Sequence, residues 1–183
     1  MRRRELLRGS LPLLGLCAAA ARGAQAPPAR KRALFVYGGW EGHEPAKCRD
    51  LWVPWLEGQG FDVQVSANHD PYADAALMGR LDLVVQTWTM GTIAKEPLRG
   101  LVEAVRGGLG FAGWHGGIVD AYRQETDYQF MVGGQFVAHP GGMIDFTVHV
   151  ADPQDPIMAG IADFKVRSEQ YYMHVDPSNE VLA

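Results

Sequence analysis

The chain has 183 residues, of which 47% are hydrophobic, 21% charged and 10% aromatic. This composition is typical of a globular domain and excludes disordered and fibrous proteins. The two cysteines, Cys17 and Cys48, are too few for a disulfide framework or for a four-cysteine zinc site. The formal net charge of −4 argues against a general affinity for nucleic acid.

Residues 1–26 have the features of an export signal. They carry five arginines against the single acid Glu5, and they include an apolar run from Leu11 to Ala21. That run is shorter than the about 20 residues of a membrane-spanning helix, so we expect no stable membrane insertion once the signal is removed. The stretch from Arg3 to Arg8 resembles a twin-arginine signal, although a general secretory signal with several arginines fits the same residues. We therefore predict a periplasmic or extracellular protein whose mature domain covers residues 27–183.

Short apolar segments alternate with helical ones along the mature chain. This alternation predicts a mostly parallel sheet between two layers of helices, which is a three-layer α/β fold. The polar alternation in residues 144–150 is typical of an edge or antiparallel strand. A strand-like start at residues 179–183 leads us to expect a domain that continues beyond the last residue. Strands are predicted at residues 32–37, 61–65, 82–86, 110–114, 144–150 and 164–166, and helices at residues 46–58, 72–81 and 97–106.

The loops that follow the first, third and fourth strands are expected to share one crevice, because ligands of such sheets bind beyond the carboxyl ends of the strands. These loops contain His43, Trp88 and the segment from His115 to Gly117. Polar and aromatic residues further along the chain are expected to cover the same opening, namely Asp120, Tyr128, His139, Glu169 and Tyr172.

The turn at His115 is the most informative of these features. Two glycines follow the histidine, and they allow a tight turn whose amides, those of Gly116 and Gly117, would bind a developing oxyanion. An imidazole at such a turn is suited to acid–base work or to metal ligation. His43 fits either a functional group or solvated surface, and His139, which precedes a proline, fits either a loop anchor or a ligand.

Aromatic rings beside hydrogen-bonding groups suit sugars, whose rings have apolar faces edged by hydroxyls. On this basis we predict a carbohydrate-binding role for Trp88, Trp114, Asp120, Tyr128 and Tyr172. In the segment from Ser168 to His174, alternation places Glu169 and Tyr171 on one side, and Glu169 is the stronger candidate for the site. We treat His69 and His149 as surface residues without a role.

Taken together, several segments resemble the ThuA-like (trehalose utilisation) family. The resemblance implies a flavodoxin-like fold of the class I glutamine amidotransferase-like superfamily. It also implies a link to the breakdown of disaccharides and their keto-sugar oxidation products, with metal binding in some members. The matching stretch has His115 where amidotransferases carry a nucleophilic cysteine, which argues against glutaminase chemistry. The segments are Gly38–Glu44, Gly110–Gly117, Tyr128–His139, Asp155–Ile157 with Gly160, and Ser168–Tyr172.

These observations give a leading hypothesis and two alternatives. The leading one is an exported enzyme, a hydrolase, lyase or isomerase of a disaccharide or keto-sugar, with His115, Glu169 and His43 as its catalytic groups. If a divalent metal such as zinc takes part, its predicted ligands are His43, His115, His139 and Glu169. The alternatives are a non-catalytic carbohydrate-binding module and an amidotransferase-like scaffold for protein assembly.

Overall fold

A computed structural model of the protein describes residues 30–183. The segment 1–26, on which the export prediction rests, lies outside these residues. Within residues 30–183, no helix has both the length and the apolar character needed to cross a bilayer.

The centre of the fold is a parallel sheet of four strands in the order β2-β1-β3-β4, and this confirms the predicted sheet and its flavodoxin-like order. Three of these strands contain a short apolar run, β2 alternates apolar with polar residues, and all four end at glycine or polar residues. The chain moves from β1 to β2 in one direction and from β2 to β3 in the other, so the order reverses between the ends of β1 and β3. The strands are β1 (Lys31–Gly39), β2 (Phe61–Ser66), β3 (Leu83–Thr89) and β4 (Gly110–Gly113).

Helices cover both faces of this sheet, and α1 (Pro45–Gly58) and α4 (Lys95–Arg106) are the longest of those described. The single helix predicted for residues 72–81 is wrong. Two short helices, α2 (Asp70–Ala73) and α3 (Ala75–Met78), occupy this region. Asp74 separates them because its extended backbone ends α2, while its side chain accepts a hydrogen bond from the backbone N–H of Leu77 and so caps α3.

Successive side chains of the central strands lie on opposite faces of the sheet and so belong to different cores. Leu34 and Val84 belong to the core under α4, where Leu101 packs against them. Phe35 and Val85 belong to the opposite core, under α1. The sheet is therefore buried on both faces, as expected for parallel strands.

The later part of the chain forms two antiparallel pairs of strands beside the parallel sheet. The polar strand predicted at residues 144–150 is confirmed as a member of an antiparallel pair, β6 with β7. The strand expected at residues 179–183 is wrong. Asp176 instead accepts hydrogen bonds from the N–H and hydroxyl of Ser178 in a turn. The carbonyl of Leu182 accepts hydrogen bonds from the N–H groups of Ala151 and Asp152, but residues 179–183 form no strand. The elements are α5 (Gly116–Val119), α6 (Thr126–Val132), β5 (Gly134–Ala138), β6 (Met143–Val148), β7 (Phe164–Glu169) and β8 (Tyr172–Val175), with β5 paired to β8.

A buried polar network connects the sheet to α5. The Gln86 amide donates to the Tyr128 hydroxyl at 2.8 Å and lies 3.4 Å from the carbonyl of Gly117, while its oxygen accepts from Tyr72 at 2.9 Å. Tyr128 in turn donates to the carbonyl of Ile118. Buried polar groups are costly unless they are paired, so this network fixes where α5 lies.

His69 is not the surface residue that the sequence suggested. Its ring centroid lies 3.9 Å from that of Trp88, and its Nε2 lies 2.7 Å from the hydroxyl of Tyr122. Burial lowers the pKa of His69 from 6.5 to about 4, against a smaller opposing effect of Asp70. The imidazole is therefore neutral in the folded protein near pH 7.

This burial predicts a loss of stability in mild acid. The unfolded chain binds a proton at His69 below about pH 6.5, whereas the folded chain does so only below about pH 4. The free energy of unfolding should therefore fall as the pH is lowered from 6.5 to 4. We expect this contribution to be roughly 1–2 kcal/mol after allowing for partial exposure. Denaturant unfolding of the wild type and of His69→Gln across this range tests it, and equal pH slopes in the two proteins would contradict it.

Candidate active site

The candidate site lies where the strand order reverses, beyond the ends of β1 and β3. The N–H of Trp40 donates to the carbonyl of Thr89 at 3.0 Å, which joins the two strand ends. Gly39 makes this approach possible, because it has a φ of 82° and a Cβ there would lie 2.1 Å from the same oxygen. A short 3₁₀ turn over Glu41–His43 then brings His43 back, so that its Nδ1 lies 2.8 Å from the hydroxyl of Thr89.

His115 reaches the same place from β4. It precedes α5 with φ of 50° and ψ of −143°, an uncommon conformation for a residue with a side chain. This sharp turn places the imidazole 4.9 Å from that of His43, measured between ring centroids.

Glu169, the last residue of β7, brings these imidazoles to one carboxylate. Its Oε2 lies 3.1 Å from Nε2 of His115 and 3.9 Å from Nε2 of His43. Its other oxygen, Oε1, lies 3.8 Å from Nε2 of His139. The structure therefore brings together all four residues that the sequence singled out as candidate metal ligands, and their roles remain predictions.

The donor atoms of three of these residues fit a divalent cation. One atom each from His43, His115 and Glu169 lies within 4.8 Å of the other two. In a tetrahedral zinc site the ligand atoms are about 3.3 Å apart, so small movements of the side chains would accommodate the ion. Two imidazoles and one carboxylate with a fourth position open is the ligand set of several catalytic zinc sites. The contact between Thr89 and Nδ1 of His43 leaves Nε2 facing the centre.

The surroundings of His115 favour its neutral form. Burial, with a further contribution from nearby His43, lowers its pKa below the usual value, and the Glu169 carboxylate opposes this. A neutral imidazole is required both for metal ligation and for accepting a proton.

Tyr171 is a neighbour of the site that the sequence did not select. Its ring stacks on that of His115 at 4.1 Å, and its hydroxyl lies 2.8 Å from Nε2 of the same histidine. Burial and the charge of Glu169 raise the pKa of Tyr171, so the hydroxyl keeps its proton. The alternation that places Tyr171 on the side of Glu169 was the signal that could have identified it. Tyr172, which was predicted instead, is 58% exposed and contacts His174.

Three of the side chains predicted to contact a sugar pack in the interior and not at the candidate site. Trp114 packs on Trp52 in the core under α1, with the ring centroids 5.2 Å apart. Tyr128 is buried in the network of Gln86, and Trp88 packs against His69. In each case the ring packs into or against the core on one face of the sheet, where burial of its large apolar surface stabilises the fold.

Two of the polar groups predicted beside His115 already have partners. The amide of Gly117 donates to the carbonyl of Trp114 at 3.0 Å. It is therefore not free to bind an oxyanion in this arrangement. Asp120 is buried and accepts two hydrogen bonds from Arg123, so it serves the packing of the loop.

A doubly wound parallel sheet with a sharp turn after its fourth strand is the architecture of the glutamine amidotransferase-like superfamily, here with histidine at the turn. Within this class the chain belongs to the ThuA family, described as trehalose utilisation, whose family model matches residues 32–183.

The fold is similar to the crystal structure of a ThuA-like protein from Bacteroides uniformis. The TM-score is 0.67 at 16% sequence identity, and the similarity covers 82% of this chain and 64% of that chain. At this identity the likeness concerns the fold alone. No curated protein matches the chain.

The donor geometry predicts that the protein binds one zinc ion. Replacing His115 or Glu169 with alanine should weaken the affinity at least about a hundredfold, since each change removes one of only three ligands. Isothermal titration calorimetry with Zn²⁺ measures this. His149→Ala is the matched control, because His149 is an exposed histidine that also contacts a carboxylate, that of Asp163. Equal affinity in all four proteins would contradict the prediction.

Proposed function

We propose that the protein is an exported enzyme of carbohydrate metabolism that acts on a disaccharide or on the keto-sugar formed by its oxidation. The observation that carries this proposal is the contact of one carboxylate, Glu169, with the imidazoles of His43 and His115 at the reversal point of the sheet. Membership of a trehalose-utilisation family supports a small carbohydrate as the ligand.

Proton transfer at a carbon atom is the chemistry that this group of side chains favours. A carbonyl on a sugar ring acidifies the hydrogen of the neighbouring carbon, and removal of that proton begins both elimination and isomerisation. The Glu169 carboxylate and the neutral His115 imidazole are suitable bases. The hydroxyl of Tyr171, 2.8 Å from the imidazole, is placed to return a proton to the product.

A divalent ion such as zinc, when bound by His43, His115 and Glu169, would act as a Lewis acid on a sugar oxygen. In that case the proton would be handled by groups that border the ligands, which are Tyr171 and His139. With or without the ion, the orientation of these side chains is fixed by their neighbours. The hydroxyl of Thr89 holds His43, and the buried network behind α5 supports the turn at His115.

The proposal predicts turnover that depends on His115 and Glu169. We expect conversion of trehalose, or of trehalose with one ring carbonyl, followed by NMR, to fall at least about a thousandfold in His115→Ala and Glu169→Gln. His149→Ala should retain wild-type activity. Chelation should abolish activity and Zn²⁺ should restore it if the ion takes part, whereas full activity in chelator would assign direct acid–base work to Glu169. Binding of either sugar without turnover would instead favour a carbohydrate-binding module.

If the protein is exported as proposed, residues 1–26 should direct a fused reporter enzyme out of the bacterial cytoplasm. Changing Arg3 and Arg4 together to lysine should block this, because the twin-arginine receptor reads the pair. Arg22→Lys leaves the pair intact and is the control. Export that survives the double change would indicate the general secretory route, and a reporter that stays in the cytoplasm would contradict export altogether.

A further inference from the structure

Trp40 is the tryptophan that borders the candidate site. It follows β1 directly, 49% of its surface is exposed, and its ring meets the His43 ring edge-on with the centroids 4.8 Å apart. The His43 ring contacts both the indole and the imidazole of His115, whose ring centroids lie 4.8 Å and 4.9 Å from its own.

The main chain around Trp40 holds the indole in this position. The N–H of Trp40 is bonded to Thr89, and its carbonyl accepts from the N–H of His43 at 3.2 Å. Gly42 lies against the indole so closely that a Cβ there would be 2.3 Å from its Cζ2 atom. The absence of a side chain at residue 42 is therefore a condition for this placement of the ring.

The other four tryptophans do not offer such a surface to the site. Trp88 and Trp114 complete the two cores, and Trp52 packs between Trp114 and Trp55. Trp55 is 52% exposed, but it lies on α1 and its ring contact is with Trp52. Trp40 alone among them combines exposure with contact to a candidate catalytic group.

On the basis of the proposed function, we infer that Trp40 determines substrate specificity by stacking on one sugar ring of a disaccharide while the other ring lies at His115 and Glu169. An indole has a broad apolar face, which complements the C–H face of a pyranose, and its burial by a ligand costs little conformational entropy. The site would thus select substrates with two rings, because a single ring can occupy the reaction centre or the indole but not both.

Steady-state kinetics of Trp40→Ala tests this inference, with trehalose and glucose, each with and without one ring carbonyl, as probes. We expect the KM for the disaccharide to rise at least about tenfold while its kcat changes less than about threefold. The KM and kcat for the monosaccharide should stay near those of the wild type. Trp40→Phe, which keeps an aromatic face, should recover most of the loss. Trp55→Ala, a tryptophan of matched exposure, should have wild-type kinetics.

Gly42→Ala is a second, independent variant, because it displaces the indole without removing it, and we expect it to raise the disaccharide KM in the same direction. If the wild type is active and Trp40→Ala has the same disaccharide KM, the inference is overturned and the proposed function is left intact. A drop in kcat for both sugars, with KM unchanged, would also overturn it. A wild type that neither binds nor converts any of the four probes would overturn both.

Discussion

The candidate site depends on one carboxylate that reaches three imidazoles. Glu169 ends a strand outside the parallel sheet, whereas His43 and His115 follow β1 and β4. A carboxylate whose side chain is only 22% exposed has lost much of its hydration and needs charged or hydrogen-bonding partners. The imidazoles supply them. The same contacts connect the end of β7 to the segments that follow β1 and β4, so the site is assembled from both halves of the domain.

The parallel sheet could be predicted from the sequence because each of its strands is marked by a pattern of neighbouring residues. Each strand is a short apolar or alternating run bounded by turn residues, and the carboxyl ends of parallel strands lie at one edge of the sheet. That rule was enough to expect His43 and His115 in one crevice. Glu169 and His139 lie in the antiparallel part, where pairing joins residues far apart in sequence, and they could be selected only as polar residues of suitable chemistry and through the family resemblance.

The differences between the predicted site and the structure concern the direction in which side chains point. Trp114 follows β4 and Trp88 lies near the end of β3, where a ligand platform would be expected, but each ring packs against a core on its face of the sheet. Asp120 has the composition of a binding residue, yet Arg123, only three positions away, takes up both of its oxygens. His69 was taken for surface because no local pattern reveals that Trp88 and Tyr122 enclose it. Such outcomes depend on tertiary packing, which periodicity does not encode.

Gln86 has a consequence for how this domain can be altered. Its amide lies under the sheet, out of reach of any ligand at the crevice, yet it connects Tyr72 and Tyr128 to the carbonyl of Gly117, two positions after His115. The rigidity of the histidine turn is therefore a property of the interior. Replacing the polar residues of this core with apolar ones to raise thermal stability would also remove the hydrogen bonds that hold the turn. Thermal stability and the geometry of the crevice are therefore linked in this protein.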